Sequence, residues 1–270
     1  MSFAPRKLRQ TVIEMANAGS TVHIACAFSI IEILAVLYRS HLNLGDKTPD
    51  SPDRDYLVLS KGHGVMAQYA CLRELDWLDD DDINNYFGDG TKLKGLSDAH
   101  VAGLEVTSGS LGHGLSVGVG LALAAKRNKT NQKCFAIVGD GEINEGAIWE
   151  ACLFAAHFEL SNLMVIVDEN GYQAMGTTDE VLHLGSIADK FKAFNFETRS
   201  VDGHDEKALD DCIVELLNIK SNRPKAIVAK TVKGKGISFM EADNRWHYTR
   251  LSPETHASVI KELEDESVLL

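Results

Sequence analysis

The sequence is short of cysteine and of positive charge and contains no long apolar run, and each shortage excludes a class of protein. Only five cysteines occur among 270 residues. They are odd in number, far apart and never spaced as CxxC, which predicts buried thiols in a reducing compartment rather than disulfides or a zinc site. They are Cys26, Cys71, Cys134, Cys152 and Cys212.

No apolar run reaches the roughly 18 residues that a membrane helix needs. Residues 1–10 are basic but are not followed by the apolar core of a signal peptide. Neither secretion nor membrane insertion is therefore predicted, and we expect a cytoplasmic protein. The sequence also contains no internal repeat and no low-complexity linker.

The charge balance is acidic, with 27 Lys and Arg against 39 Asp and Glu and a net charge of −12. This excess argues against nucleic acid or an anionic membrane as the partner, although a single pocket can still be positive. The composition, 44% hydrophobic and 24% charged, is typical of a globular protein. We predict one domain over residues 1–270, with a C-terminal helical tail from about residue 252.

Short apolar strands alternate with helical segments along the chain. This alternation predicts an α/β fold in which a parallel sheet is covered by helices on both faces. Strands are predicted at 56–59, 134–138, 163–167 and 226–230. Helices are predicted at 7–18, 29–38, 65–75, 115–127, 147–158 and 209–219 and from Ser252 onward. The acidic cluster 79–82 is interpreted as the start of a short helix rather than as a metal site.

The strongest chemical signal lies at the ends of two of these strands. Asp140 stands between two glycines directly after one strand, and Asn170 follows the next strand along the chain. Because the carboxyl ends of parallel strands share one sheet edge, both side chains are expected to face one ligand. Their oxygens suit Mg²⁺, and Ca²⁺ or Mn²⁺ accept similar ligands. A Gly-Asp-Gly turn alone, however, fits any α/β protein.

The full pattern resembles the thiamine diphosphate motif, in which Gly-Asp-Gly is followed at this spacing by an apolar strand ending in Asn. In that motif the Asp and Asn side chains and a backbone carbonyl two residues beyond the Asn hold the metal. The resemblance therefore implies a thiamine diphosphate-binding fold. It also implies that Asp140, Asn170 and the carbonyl of Tyr172 are metal ligands.

Four further blocks of sequence narrow this resemblance. They are residues 18–34 with His23 and the run SIIEIL, LVLSKGHG at 57–64, GLEVTSGSLGHG at 103–114, and KTVKGKG at 230–236 followed by Ser238 and Trp246-His247. Because they occur in the family's order over nearly the whole chain, the protein is identified as a member of the transketolase family.

The resemblance implies roles for residues inside these blocks. His23 and His247 are implied as catalytic side chains facing the donor. The cofactor-binding residues implied by the blocks are His63, Gly109, Ser110, Leu111, Gly141, Asn170 and His247. Each histidine taken alone predicts only a structural or surface residue. His113 is given no contact, and no role is predicted for His41, His157, His183, His204 or His256.

Glu145 and Glu150 match carboxylates that the family places at its subunit interface. There they lie next to a glutamate of the other half that protonates the cofactor's aminopyrimidine. The two residues could therefore share protons with a partner. They could equally be acidic residues that favour the start of a helix.

The resemblance implies a transferase of carbohydrate metabolism. It would move a two-carbon ketol unit from a ketose or ketose phosphate to an aldose. The family's pyrimidine-binding domain, with its catalytic glutamate, and its C-terminal domain do not occur in this sequence. A partner subunit is therefore expected to supply them, in a dimer of heterodimers.

One position departs from the family. Where the family reads Gly-His-Pro, this sequence reads Gly95-Leu96-Ser97. The family's histidine contacts the donor sugar, so Leu96 removes a hydrogen bond near the reacting carbons. His100 could replace it only if the loop is rearranged. The change indicates a donor or acceptor other than the ordinary pentose phosphates.

Two other classes of protein compete with this interpretation. The α-type subunit of a 2-oxo acid dehydrogenase or decarboxylase shares the Asp and Asn motif but lacks the SKGHG and TVKGKG blocks. A non-enzymatic paralogue would keep the fold without turnover. The joint presence of His23, His63, Asp140 and Asn170 argues against it.

Overall fold

The computed structural model describes residues 2–18 and 22–264, and within them a parallel sheet forms the centre of the molecule. Its five strands are β1 Tyr56–Leu59, β2 Cys134–Gly139, β3 Leu163–Glu169, β6 Glu197–Asp202 and β7 Lys225–Lys230. Their order across the sheet is β1-β2-β3-β7-β6. A short antiparallel hairpin, β4 Tyr172–Gln173 and β5 Gly176–Thr177, follows β3. The predicted parallel sheet is confirmed.

Helices cover both faces of the sheet, as predicted, because successive strand residues point to opposite sides. Phe135 and Ile137 of β2 pack into one core, whereas Ala136 and Val138 pack into the other. The first core is closed by α1 Pro5–Ala18, α2 Ile24–Phe28, α3 Ile31–Val36, α4 Val65–Glu74, α5 Asp80–Asn84, α10 Glu206–Asn218 and α11 Pro253–Glu264. The second is closed by α6 His113–Asn128, α7 Gly146–His157 and α9 Ile187–Ala193, and α8 is the short helix Thr178–Leu182.

Several local predictions are confirmed. All five cysteines are buried free thiols. The acidic cluster starts α5, where Asp79 and Asp82 form a capping box. None of the helices in the described ranges is long and apolar enough to cross a membrane. Residues 19–21 of the first matching block, and the acidic end 265–270, lie outside the described residues.

The continuous helix predicted over residues 29–38 is wrong. The chain forms α2, turns at Ser29 and Ile30, forms α3, and continues as a π-helical turn over Leu37–His41. The buried Ser29 hydroxyl donates a hydrogen bond of 2.8 Å to Asp168 near the end of β3. This bond ties the break to the sheet edge, which the local apolar pattern does not show.

Strand β6 was not predicted because it has no apolar run. It is the outer strand of the sheet and pairs only with β7 among the described strands. Of its residues only Thr198 is buried, and Arg199 is bonded to Glu215 on α10. An edge strand can carry charged residues along its free side, so its pattern does not differ from that of a loop.

Candidate active site

A cavity of about 670 Å³ opens where the carboxyl ends of β1, β2 and β3 meet. This is the edge at which open α/β sheets bind ligands. Most residues predicted for the site line it: His23, His63, Gly109, Leu111, Asp140, Gly141, Glu145, Asn170, Tyr172 and His247. The predicted Ser110 and Glu150 are not in the lining. The fold therefore collects side chains that are far apart in the sequence.

Asp140 is held at the end of β2 by backbone amides. Its Oδ1 accepts from the amide of Gly141 at 2.7 Å, and its Oδ2 accepts from the amide of Gly171 at 2.6 Å. The side chain is buried, and burial, together with the nearby carboxylate of Asp168, raises the pKa of Asp140 to about 7. Lys61 lowers this pKa only in part, because its ammonium group pairs with Asp168.

Asn170 is fixed beside Asp140 at the end of β3. Its Nδ2 donates to Asp168 Oδ2 at 2.7 Å, and its Oδ1 accepts from the amide of Tyr172 at 3.0 Å. Asp140 bonds Gly171, the residue between Asn170 and Tyr172. The three predicted ligand residues are thus linked by short hydrogen bonds at one corner of the cavity.

Asp168 and Lys61 form a buried ion pair behind this corner that sequence reasoning missed. The Lys61 Nζ lies 2.5 Å from Asp168 Oδ2, and the two side chains are 1% and 0% exposed. Asp168 also accepts from Ser29 Oγ at 2.8 Å and from Thr231 Oγ1 at 2.5 Å. Burial alone would raise the pKa of Asp168, but the ammonium of Lys61 and the donated hydrogen bonds hold it below its usual range.

Glu142 joins three loops around the cavity. Its Oε1 accepts from Ser60 Oγ at 2.5 Å and from the amide of Gly112 at 2.9 Å, and its Oε2 accepts from the amide of Gly139 at 3.0 Å. Gly112 has φ of +85°, a conformation that favours glycine. A Cβ at Gly114 would lie 2.5 Å from the Cα of Ser60. Positive φ therefore explains the glycine at 112, and close backbone approach explains the glycine at 114.

The rings of His23, His63 and His247 form a cluster in the lining of the cavity. Their centroids lie 5.4 to 5.7 Å apart. Burial and the neighbouring lysines lower the pKa of His23 to about 4, and they lower that of His247 to about 3. Both rings are therefore neutral at pH 7, and each can donate one hydrogen bond and accept another.

Lys233, from the KTVKGKG block, is buried beside this cluster. Its Nζ lies 2.7 Å from His247 Nδ1 and 2.6 Å from Asn244 Oδ1. Because an ammonium can only donate, Nδ1 of His247 accepts and the ring proton is on Nε2. Lys233 thereby places positive charge in the cavity of an acidic protein.

The loop that carries Lys233 is anchored by a buried charge network, which includes a histidine for which no role was predicted. His204 Nε2 accepts from the amide of Val232 at 2.8 Å, and its Nδ1 lies 2.9 Å from Glu32. Arg9 pairs with Glu32 at 2.7 Å and donates to the carbonyl of Lys235 at 2.8 Å. The network therefore holds the loop on both sides of Lys233.

The remaining predicted residues lie at the rim or outside the cavity. Glu145 is exposed at the rim, and Glu150 is exposed on α7. Leu96 lines the cavity and is 42% exposed. The His100 side chain is 94% exposed and pairs with Asp98, so in this structure it does not take the place of the missing histidine.

Comparison with known proteins decides the family. The family model described as "Transketolase, thiamine diphosphate binding domain" matches residues 3–264. The chain belongs to the transketolase family. The family resemblance seen in the sequence blocks is thereby confirmed.

Two relatives of similar length are named as single subunits of transketolases. One, from Actinobacillus succinogenes, is named as a subunit of apulose-4-phosphate transketolase. The chain is 36% identical to it over 259 residues, covering 96% of this chain and 93% of the relative. The other, from a Clostridium species, is "6-deoxy-6-sulfo-D-fructose transketolase subunit SqwG". The chain is 35% identical to it over 260 residues, covering 96% and 94%.

Solved transketolases share this fold but are longer. The crystal structure of transketolase from Campylobacter jejuni superposes with a TM-score of 0.87 at 27% identity. The match covers 96% of this chain and 42% of that one. Transketolase from Leishmania mexicana gives a TM-score of 0.87 and is also covered to 42%. The chain thus spans about two fifths of these solved transketolases.

Proposed function

We propose that this chain binds thiamine diphosphate through Mg²⁺ as the diphosphate-holding subunit of a two-subunit transketolase. The assembly would transfer a two-carbon ketol unit from a ketose phosphate donor to an aldose acceptor in the cytoplasm. The observation that carries the proposal is the single cavity that holds the Asp140 and Asn170 corner, the buried lysines and the histidine cluster. Family membership supports it further.

The side chains of the corner fit a hard cation. Asp140 is buried with a raised pKa and accepts hydrogen bonds only from backbone amides among the described residues. A cation would therefore place a positive charge directly beside its carboxylate. In the same lining, Asn144 Oδ1, an acceptor, and Gln173 Nε2, a donor that suits a phosphate oxygen and not a metal, are buried without a hydrogen-bond partner in the described chain. We assign Asp140, Asn170 and the Tyr172 carbonyl to the metal, which is Mg²⁺ or, with similar ligands, Ca²⁺ or Mn²⁺.

The rest of the lining fits the cofactor. The ammonium group of Lys233 supplies charge that complements a diphosphate, whereas that of Lys61 is paired with Asp168, and His63 can donate to a phosphate oxygen. The backbone around Gly109, Ser110, Leu111 and Gly141 would border the cofactor. When bound, thiamine diphosphate supplies the nucleophilic carbon that cleaves and forms the bond next to the ketose carbonyl.

The neutral histidines would act on the sugar. His23 and His247 can each hold a hydroxyl and pass a proton between sugar oxygens without first losing a charge. The position of Glu145 at the rim suits proton sharing with a partner's carboxylate, and Glu150 would lie at the same interface. The partner's pyrimidine-domain glutamate would activate the bound cofactor.

The relatives' names support a partner subunit, because both name their protein as one subunit of a transketolase. We infer a dimer of heterodimers with the subunit that carries the pyrimidine-binding and C-terminal domains. Family membership also favours ketol transfer over the decarboxylation of a 2-oxo acid dehydrogenase. It gives no support to a non-enzymatic paralogue.

The experiment is cofactor calorimetry on the complex with its partner, followed by activity assays. Thiamine diphosphate should bind in Mg²⁺ and fail to bind in EDTA, and the complex should transfer ketol units from xylulose 5-phosphate or another ketose phosphate. Metal-independent binding or no binding would contradict the proposal. Decarboxylation of 2-oxo acids without ketol transfer would favour the α-type subunit instead.

His204 should matter for cofactor affinity although it does not line the cavity. In the His204→Ala variant the Val232 amide loses its acceptor and Glu32 keeps only Arg9, so the Lys233 loop loosens. We expect the Kd for thiamine diphosphate to rise about 10-fold, as for other supporting residues of ligand sites. Titration with cofactor in Mg²⁺ measures this change.

The matched control for this prediction is His183→Ala. His183 is 67% exposed and pairs with Asp179 on α8. The control should bind cofactor like the parent chain. In His204→Ala, kcat at saturating cofactor should change less than the Kd for the cofactor. An unchanged Kd in His204→Ala would show that the loop keeps its position without the network.

A further inference from the structure

An apolar recess adjoins the cavity where the family's donor-contacting histidine is replaced by Leu96. The recess has a volume of about 330 Å³. It is lined by Val22, His23, Phe87, Lys94, Gly95, Leu96 and Tyr248. His23 and Leu96 also line the main cavity, so the two spaces share a wall. A volume of this size is at the low end of small-molecule sites.

The wall of the recess is built from large apolar side chains that remain accessible. Phe87, Leu96 and Tyr248 are 39%, 42% and 53% exposed. Isolated exposed apolar residues are ordinary, but three around one recess indicate a binding surface. Phe87 and Leu96 belong to the segment between α5 and α6, whereas Tyr248 comes from the C-terminal part of the chain, so no local pattern predicts that all three meet.

Backbone contacts set the positions of these side chains. The Phe87 ring packs on Gly95, where a Cβ would lie 3.1 Å from the ring, and Leu96 lies over Gly109 of the segment that borders the main cavity. The Tyr248 ring packs on His23 with centroids 4.6 Å apart. The backbone next to Tyr248 is held by the bridge between Val22 and Thr249.

The recess offers few partners for hydroxyl groups. Within its described lining, His23 and the Tyr248 hydroxyl are the uncharged polar side chains, and Lys94 is the charged one. The Lys94 Nζ is bonded to the carbonyl of Thr91 at 2.5 Å. A polyhydroxylated chain placed here would lose hydrogen bonds to water without replacing them, whereas an apolar carbon chain would gain contacts.

We propose that this recess is a subsite for the aldehyde partner and that it selects an aldehyde whose carbons beyond the carbonyl lack hydroxyls. The proposal rests on the proposed function, because only ketol transfer brings an aldehyde past His23. The transfer is reversible, so the aldehyde released from the donor and the aldehyde that accepts the ketol unit share one position. The preferred ketose therefore also lacks hydroxyls on the carbons that it releases with the aldehyde.

The test compares two aldehydes of equal length on the complex with its partner. With one fixed ketose donor, kcat/KM is measured for butanal and for its trihydroxylated counterpart erythrose, corrected for free aldehyde. Butanal should be preferred by at least about 10-fold, the scale on which apolar pockets discriminate. A preference for erythrose would overturn the proposal, and this comparison needs no substitution.

Variants locate the effect in the recess. Leu96→Asn, which is nearly isosteric and polar, should lower the butanal-to-erythrose ratio about 10-fold, and Phe87→Ser should lower it in the same direction. Val214→Ser is the matched control, since Val214 is 44% exposed on α10 and lies outside the recess. The control should keep the ratio of the parent chain.

The outcomes separate this proposal from the proposed function. If no ketol transfer to any aldehyde is seen, the proposed function fails and the subsite fails with it. If transfer occurs but the ratio is the same in Leu96→Asn and Phe87→Ser as in the parent, only the subsite is overturned. If these variants separate the two subunits in size-exclusion chromatography, the partner covers the recess and the subsite is likewise overturned.

Discussion

The Asp140→Asn variant should lose magnesium-dependent uptake of thiamine diphosphate. Asn keeps the shape of the side chain but removes the charge that a cation at this corner requires. Affinity should fall by more than about 100-fold, since even residues that only support a ligand cost about 10- to 100-fold. Calorimetry with thiamine diphosphate at fixed Mg²⁺ measures the loss.

The control carboxylate for this test is Asp211 on α10. It is 63% exposed, pairs with Lys207 and does not line the cavity. Asp211→Asn should bind the cofactor like the parent chain. If Asp140→Asn still binds it tightly in Mg²⁺, the metal is held elsewhere and the proposed site is wrong.

The same variant should stabilise the metal-free protein, with a defined dependence on pH. The pKa of Asp140 rises from 3.8 to about 7 on folding. The unfolded chain therefore ionises first, and the parent loses stability relative to Asp140→Asn as the pH rises from about 4 to 7. Above pH 7 the difference should be on the order of a few kcal/mol, and near pH 4 it should vanish.

Urea unfolding in EDTA at several pH values measures this difference. Adding Mg²⁺ and cofactor should make the parent more stable than Asp140→Asn, because ligands that bind only the folded parent stabilise it. Equal stability of the two chains at pH 8 in EDTA would mean that burial of the ionised Asp140 does not destabilise the folded parent.

The second large effect concerns the buried ion pair of Lys61 and Asp168. Lys61→Met leaves the carboxylate of Asp168 buried without its ammonium partner. Removing one member of such a pair costs about 3–5 kcal/mol, because the remaining charge is uncompensated. We expect a loss of this size in the free energy of unfolding, measured by urea titration.

A double variant identifies the cause of that loss. Lys61→Met combined with Asp168→Asn removes both charges and should recover part of the stability, which gives the coupling between the two residues. Lys207→Met, which breaks an exposed pair with Asp211, should leave stability unchanged. A double variant no more stable than Lys61→Met would show that the loss comes from packing and not from the unpaired charge.

Local patterns in the sequence were sufficient for most of the sheet and for the strand ends that line the cavity. The apolar runs located β1, β2, β3 and β7 to within two residues, because buried parallel strands require such runs. They also placed Asp140 and Asn170 at strand ends, and parallel strands bring such ends to one edge. The matching blocks added the histidines, of which His23, His63 and His247 do form one cluster.

Local patterns failed where a residue's role depends on a distant partner. Lys61 and Asp168 are 107 residues apart, and Glu32 and His204 are 172 apart. Read locally, each is an ordinary polar residue, and His204 was given no role. The break at Ser29 and the edge strand β6 were missed for the same reason, since both are set by contacts with the sheet.

The sequence by itself determined most of the strands and helices along the chain and the residues that the strand ends present, because the burial of a strand or helix follows from its own pattern of apolar residues. Only the tertiary structure decided which charges are neutralised, which loop is anchored and which exposed apolar side chains share a recess with Leu96. These properties depend on distance and on exclusion of water, and both are set by segments that meet only after the chain has folded.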